Sequence, residues 1–231
     1  MKRKNILWLY LFLFASLTDI AFMLEQKNEL RIFSKPLIIL GLVAYFYQIT
    51  RPISSTLLVK SILGALIFSW IGDILLLWDS LFIYGLGAFL MAHICYIIGF
   101  RVAQKAQETP LKVNFIKTFF YNLPVYFIAA FVFYLTNPNL GAMKIPVIIY
   151  ILVILSMVSV ARERFGKCNP ASFWQVFIGA SLFFISDATI ALDKFYYPIP
   201  DAGIIIMGTY VIAQLMIVMG IRSHILQPTL K

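Results

Sequence analysis

Long apolar segments dominate this sequence of 231 residues and constrain its fold more than any other feature. We count eight candidate membrane-spanning segments, at residues 6–24, 34–50, 57–78, 81–100, 115–135, 143–161, 174–192 and 203–224. Helices are expected because lipid cannot satisfy exposed backbone groups and no segment alternates like a barrel strand. The sequence predicts an all-α, polytopic membrane protein, a bundle of eight transmembrane helices that forms a single integral-membrane helical domain over residues 1–231.

The net charge of +9 is distributed unevenly between the two sides that eight spans would define. Fourteen of the 19 lysine and arginine residues fall on one side, in loops that include Arg51, Arg101 and Arg162, and five fall on the other. Such an excess in short loops is typical of the cytoplasmic side. We therefore expect both termini to be cytoplasmic and, in a bacterium, the chain to lie in the inner membrane. Because this asymmetry accounts for the basic charge, no nucleic-acid partner is expected.

The longest predicted loop, residues 101–114, separates two sets of four spans. Residues 68–82 (FSWIGDILLLWDSLF) can be aligned with residues 182–196 (LFFISDATIALDKFY), which pairs Asp73 with Asp187 at an offset of 114 residues. A parallel duplication would have this form, although chance similarity explains so few identities equally well. The sequence leaves open whether the two four-helix halves are related.

Ionisable residues inside four spans are the first candidates for a functional site. Asp73 and Asp187 each lie five residues before the predicted end of their span. Asp19 and Lys35 fall near the same side, so the predicted topology brings four charged groups into one layer. A charge at a helix centre costs about 2.5–3.5 kcal/mol, so such residues usually face a polar cavity. The alternative for each is an interhelical hydrogen bond or a salt bridge, for example between Lys35 and an aspartate.

A stripe of residues along the fourth span surrounds a histidine. Its members share one helix face at spacings of three, four, four and three: Phe82, Gly85, Phe89, His93 and Tyr96. Such a stripe either packs against other helices or forms a pocket wall on which His93 tunes a catalytic acid.

Other polar residues are weaker candidates. Tyr210 and Gln214 share a face of the eighth span, and Tyr150 lies in the sixth. For these three, polar contact between helices is slightly favoured over contact with a substrate. Asp79 and Asp193 fall at the ends of spans and are expected to be solvated.

Several short motifs, taken in order, resemble the YhhN-type lysoplasmalogenase family. They are KP at Lys35, GDILL followed by FxxGxxxFxxxHxxY from Gly72 to Tyr96, SDA at Ser186–Ala188, and Tyr210 with Gln214. The resemblance covers spans two to eight and implies an integral-membrane hydrolase without metal or organic cofactor. It further implies cleavage of the vinyl-ether bond of lysoplasmalogens, which gives a fatty aldehyde and glycerophosphoethanolamine or glycerophosphocholine. The family's acidic residues correspond here to Asp73 and Asp187.

The implied chemistry needs a proton donor and an activated water. A vinyl ether is protonated at carbon, water adds to the oxocarbenium ion, and the hemiacetal collapses to aldehyde and alcohol. Two aspartates can divide these roles if their surroundings separate their pKa values. We expect one of Asp73 and Asp187 to be the acid and the other the base, with Lys35 beside the base or the substrate phosphate. The aromatic residues expected to line the chain pocket and stabilise the cation are Phe82, Phe89, Phe183 and Phe184.

Two other functions fit parts of the sequence. Acidic residues within spans and a duplication also suit a proton-coupled transporter or a lipid-binding membrane protein. Spans three and seven lack the paired glycine or proline interruptions of broken helices, which argues against transport. A hydrolase of another ether or of an epoxide lipid would use the same acid and water.

Overall fold

Eight long α-helices make up most of the described chain, which comprises residues 3–104 and 115–226 of a computed structural model. Side chains are described for residues 6–104 and 119–226, and no β-strand occurs within the described ranges. All eight helices are long and apolar enough to span a membrane, which confirms the predicted fold class. The chain is a multi-pass integral membrane protein.

The helices follow the predicted order. They are α1 (Arg3–Leu24), α2 (Arg31–Thr50), α3 (Leu57–Leu75), α4 (Phe82–Val102), α5 (Phe115–Thr136), α6 (Lys144–Glu163), α7 (Pro170–Phe195) and α8 (Ala202–Leu226). The chain forms two compact units, Met1–Val102 and Ala103–Lys231. The cytoplasmic termini, the inner-membrane location and the relation between the halves stay predictions. Some basic residues behind the charge count lie outside the described residues: Lys2, Lys105, Lys112 and Lys231.

In the first unit each helix packs against the next, α1 on α2, α2 on α3 and α3 on α4. Thr56 caps α3, because its hydroxyl accepts a hydrogen bond from the Val59 N–H. The approach of α4 to α3 is close at Gly72, where an added Cβ would lie 2.6 Å from the Phe89 ring. Glycine at this position therefore lets the Phe89 ring lie directly on the α3 backbone, next to Asp73.

In the second unit α7 packs mainly against α8, with α5 and α6 also in contact with it. Pro170 begins α7, and the Asn169 side chain caps it by accepting a 2.7 Å hydrogen bond from the Ser172 N–H. A Cβ added at Gly179 would lie 2.8 Å from the Ala213 carbonyl oxygen of α8. The two longest helices thus approach closely through a glycine.

Arg164 is a fully buried cation at the end of α6, although the charge count treats it as a loop residue. Its guanidinium donates to the Ala103 carbonyl at 3.3 Å, the Ser172 carbonyl at 3.3 Å and the Ser172 hydroxyl at 2.7 Å. Burial lowers the pKa of this guanidinium from its usual high value. The contacts fasten the beginning of α7 to the first residue of the second unit.

The ends of α3 and α7 differ from those predicted. Helix α3 ends at Leu75, three residues earlier than expected, and α7 continues three residues further, to Phe195. Asp73 therefore lies two residues before its helix end and Asp187 eight, instead of five each. Hydropathy misses the end of α3 because the chain stays apolar beyond it. Residue counts from helix ends no longer support a common depth for the two carboxyl groups.

Candidate active site

Charged side chains meet where the C-terminal ends of α1 and α3 lie beside the N-terminal end of α2. Asp19 of α1 and Asp73 of α3 are 0% and 2% exposed, and Lys35 of α2 is 7% exposed. Together with two neighbours on the first turn of α2, they form what we call the charged cluster: Asp19, Arg31, Ser34, Lys35 and Asp73. Three of the four ionisable residues predicted to share a layer are thus close together within the first unit.

Asp19 is held by three hydrogen bonds from the beginning of α2. Arg31 donates from Nε to Oδ1 at 3.4 Å and from Nη2 to Oδ2 at 3.2 Å, and the Ser34 hydroxyl donates to Oδ1 at 2.7 Å. The Arg31 side chain is 17% exposed, whereas that of Asp19 is fully buried. Asp19 therefore forms the salt bridge considered as its alternative role, but with Arg31 in place of Lys35.

Lys35 lies one helical turn beyond Arg31 and interacts electrostatically with the Asp73 carboxylate. A buried ammonium needs such a negative charge to offset its lost hydration. Next to this pair, the Trp70 Nε1–H of α3 donates to the Pro36 carbonyl of α2 at 2.9 Å. The two oppositely charged groups thus lie on helices that are joined by a hydrogen bond beside them.

Arg31 is the residue of this cluster that the sequence analysis missed, because it counted only as a loop cation. Arg31, Ser34 and Lys35 have the spacing i, i+3, i+4, which places them on one face of a helix. Two cations on one face at the beginning of an apolar span require anionic partners. That spacing was the available signal, and recognising it required α2 to begin before residue 34.

The stripe on α4 is a packing face against α3. Its buried members are Gly85, Phe89, His93 and Tyr96, while Phe82 is partly exposed. The Phe89 ring covers the glycine before Asp73, and a Cβ at Gly85 would lie 2.6 Å from the Leu76 side chain. His93 is fully buried on this face, and its role in tuning an acid stays a prediction.

In the second unit, Asp187 of α7 accepts a 2.7 Å hydrogen bond from the Tyr150 hydroxyl of α6. Tyr150 is buried, whereas Asp187 is partly exposed. The preceding residue, Ser186, donates to the Ile206 carbonyl of α8 at 3.0 Å. The SDA motif therefore contacts α8 through its serine and α6 through its aspartate, so the carboxyl group has a defined orientation.

Four other candidates lie in α7 and α8. Phe183 precedes Asp187 by four residues, hence on the same helix face, and its ring meets Tyr210 edge-on at 5.3 Å. Phe184 and Gln214 are also buried. Among the residues described, no three His, Cys, Asp or Glu side chains are grouped as a metal site would need.

Comparison with known proteins identifies the family. Residues 30–221 match the family model of the YhhN family. The chain belongs to the YhhN family. This confirms the resemblance carried by the short motifs, and every candidate residue except Asp19 lies within the matched range.

Curated relatives agree with this membership. The chain is 33% identical to lysoplasmalogenase TMEM86B of Mus musculus, over 80% of this chain and 75% of the relative. It is 31% identical to lysoplasmalogenase TMEM86A of Bos taurus, over 75% and 68%. A bacterial relative, the lysoplasmalogenase of Mycobacterium tuberculosis, is 29% identical over 68% of this chain and 58% of its own length. No solved structure matches the chain.

Proposed function

We propose that this YhhN-family chain is a lysoplasmalogenase, an ether hydrolase acting on 1-alkenyl lysophospholipids. The products would be a fatty aldehyde and glycerophosphoethanolamine or glycerophosphocholine. The observation that carries this proposal is the family match over residues 30–221, together with mammalian and mycobacterial relatives named lysoplasmalogenase. Eight membrane-spanning helices suit an enzyme whose substrate is a lipid of the bilayer.

The reaction consumes one water and requires proton transfers that carboxyl groups can perform. An acid adds a proton to the vinyl carbon distal to oxygen, which leaves an oxocarbenium ion. Water attacks the cationic carbon and gives up a proton to a base. The hemiacetal then loses the glycerol oxygen as an alcohol and becomes the aldehyde. Each positioned acid or base contributes about 10²–10⁴-fold to such a rate.

We assign these proton transfers to Asp73 and Asp187. Asp73 is buried beside Lys35, and this ammonium offers the countercharge that a carboxylate away from water needs. Asp73 is therefore suited to accept the proton of the attacking water and to stabilise the oxocarbenium ion. Asp187 is oriented by Tyr150 and is partly exposed, which suits it to deliver a proton to the vinyl carbon.

Aldehyde release by purified protein in detergent tests the reaction. The panel contains 1-alkenyl, 1-alkyl and 1-acyl lysophospholipids and an epoxide lipid. We expect aldehyde from the 1-alkenyl lipid alone, with no membrane or ion gradient present. Consumption of a different lipid would favour the other hydrolase function, and no turnover of any lipid would favour transport or lipid binding.

A further inference from the structure

We propose that Arg31 binds the phosphate of the lysophospholipid head group, and that Asp19 and Ser34 hold the beginning of α2 so that Arg31 can do so. The inference rests on the proposed function, because it names the part of that substrate which the charged cluster recognises. It goes beyond the roles expected of Lys35 and Asp73, and it gives Asp19 a reason to be buried in a membrane span.

The first support is the way in which Arg31 is bonded. Asp19 takes up Nε and Nη2 of the guanidinium, and Nη1 makes no hydrogen bond to any residue that the structure describes. A guanidinium carries five N–H donors in a planar fork, so one edge can pair with a carboxylate while another pairs with a phosphate. Because Asp19 already fixes this side chain, little rotamer freedom is lost when an anion binds.

The second support is exposure. Among the ionisable side chains of the charged cluster, Arg31 is the one at the surface, with 17% of its side chain exposed. Asp19, Lys35 and Asp73 are all buried. A head group that enters from the end of the unit would therefore meet Arg31 before any other charge of the cluster.

The third support is the balance of charge. Asp19 and Asp73 face two cations, Arg31 and Lys35, and also the positive end of the α2 dipole. The cluster therefore does not carry an excess of negative charge that would repel a phosphodiester. A guanidinium shared between Asp19 and a phosphate keeps each anion beside the same cation.

The fourth support is the order of groups along α2. Arg31 lies at the first residue of the helix, and Lys35 is four residues, or about 6 Å, further in. Asp73 lies near Lys35. In the lipid, the glycerol carbons separate the phosphate from the vinyl ether. With its phosphate on Arg31, the lipid would thus present the ether oxygen about one turn deeper, at the level of Asp73.

Two substrates separate phosphate binding from a structural role: a 1-alkenyl lysophospholipid and the corresponding 1-alkenylglycerol, which has no phosphate. The variant Asp19→Asn/Arg31→Gln removes both charges of the pair, so that no buried carboxylate is left uncompensated. We expect its KM for the phospholipid to rise about tenfold or more, as for a lost charged hydrogen bond, and its KM for the alkenylglycerol to stay unchanged. Asp19→Asn alone retains Arg31 and should keep the phospholipid KM near that of wild type.

Two further variants complete the set. Arg31→Lys retains the charge but not the fork, and should give an intermediate KM for the phospholipid. Lys27→Gln is the matched control, because it removes an exposed cation of the same connection, one paired with Glu25. An equal loss on both substrates, or no loss on either, would overturn the assignment of Arg31.

A binding measurement keeps this inference separate from the proposed reaction. A 1-alkyl lysophospholipid and a 1-alkylglycerol have no vinyl ether, so their Kd values can be measured without turnover. Wild type should bind the phospholipid more tightly, and the double variant should lose that preference. Failure of the proposed function would appear as absence of aldehyde from wild type. Failure of this inference would appear as an unchanged preference in the double variant or in Arg31→Lys, whichever folds.

Discussion

The two units of the chain accommodate buried charge in different ways. In the first unit, opposite charges lie side by side, Asp19 with Arg31 and Asp73 with Lys35. All four side chains belong to neighbouring helices and lie at one end of that unit. Each charge is offset by another charge, so removal of one leaves its partner buried without compensation.

In the second unit, the charges meet neutral hydrogen-bond partners. Asp187 accepts from the Tyr150 hydroxyl, and Arg164 donates to two carbonyls and the Ser172 hydroxyl. Arg164 adjoins the beginning of α7, and Asp187 lies 17 residues beyond Pro170, which is about 25 Å along the helix. Removal of either charge breaks hydrogen bonds but leaves no opposite charge behind.

This difference separates stability from activity. Neutralising substitutions in the first unit should change both, because its charges are coupled as pairs. In the second unit the same kind of substitution should affect stability less, and only as far as hydrogen bonds are lost. Variants matched between the units can therefore test the comparison directly.

The largest expected effect is on turnover. Asp73→Asn and Asp187→Asn should each lower aldehyde release by about 10²–10⁴-fold, because each removes a group that transfers a proton. Asp187→Asn should keep its melting temperature, whereas Asp73→Asn leaves Lys35 without its carboxylate and should lower it. Asp79→Asn is the control, since Asp79 is exposed. Near-normal turnover in either active-site variant would remove that aspartate from the mechanism.

The next largest effect is on the stability of the first unit. Arg31→Gln should lower the free energy of unfolding by about 3 kcal/mol, because the Asp19 carboxylate stays buried without its cation. The added change Asp19→Asn should recover most of this loss. Thermal unfolding in detergent measures both, and Lys27→Gln should leave the midpoint unchanged because its pair is exposed. A double variant no more stable than the single one would contradict the coupling of these charges.

The sequence alone predicts the helical content and much of the site, because both depend on features that are local in the chain. Long apolar segments identify all eight helices, and Asp73, Asp187 and Lys35 are conspicuous as ionisable residues within them. Asp19 is conspicuous for the same reason. A spacing of three or four residues likewise predicts that the α4 stripe shares one face, and the structure places its buried members against α3.

What the sequence could not supply depends on partners distant in the chain. Arg31 looks like a loop cation until its contact with Asp19, 12 residues earlier, is known. Arg164 looks solvated until Ser172 and Ala103 are seen around it. The Tyr150–Asp187 bond joins residues 37 apart. Hydropathy measures the preference of each segment for lipid, whereas these contacts depend on the way in which helices pack.

A smaller effect on stability is expected in the second unit. Arg164→Met removes three hydrogen bonds and leaves buried acceptors unpaired, which should cost about 2 kcal/mol. Arg164→Lys should recover part of the loss, because an ammonium can still donate to the Ser172 hydroxyl. Thermal unfolding beside the control Lys167→Met, at a partly exposed position, measures the difference. A loss greater than that in Arg31→Gln would contradict the distinction between the two units.

The smallest effect is expected at Tyr150, which we regard as a positioning residue that acts through Asp187. Tyr150→Phe removes one hydrogen bond, worth about 1 kcal/mol, and should lower kcat about fivefold with little change in KM. The same substitution at Tyr126, whose hydroxyl lies 3.1 Å from that of Ser159, is the matched control and should leave kcat unchanged. In the Asp187→Asn background, Tyr150→Phe should have no further effect, because the oriented carboxylate is already gone. Independent losses in the double variant would show that Tyr150 acts without Asp187, and the second unit would then hold two separate functional groups.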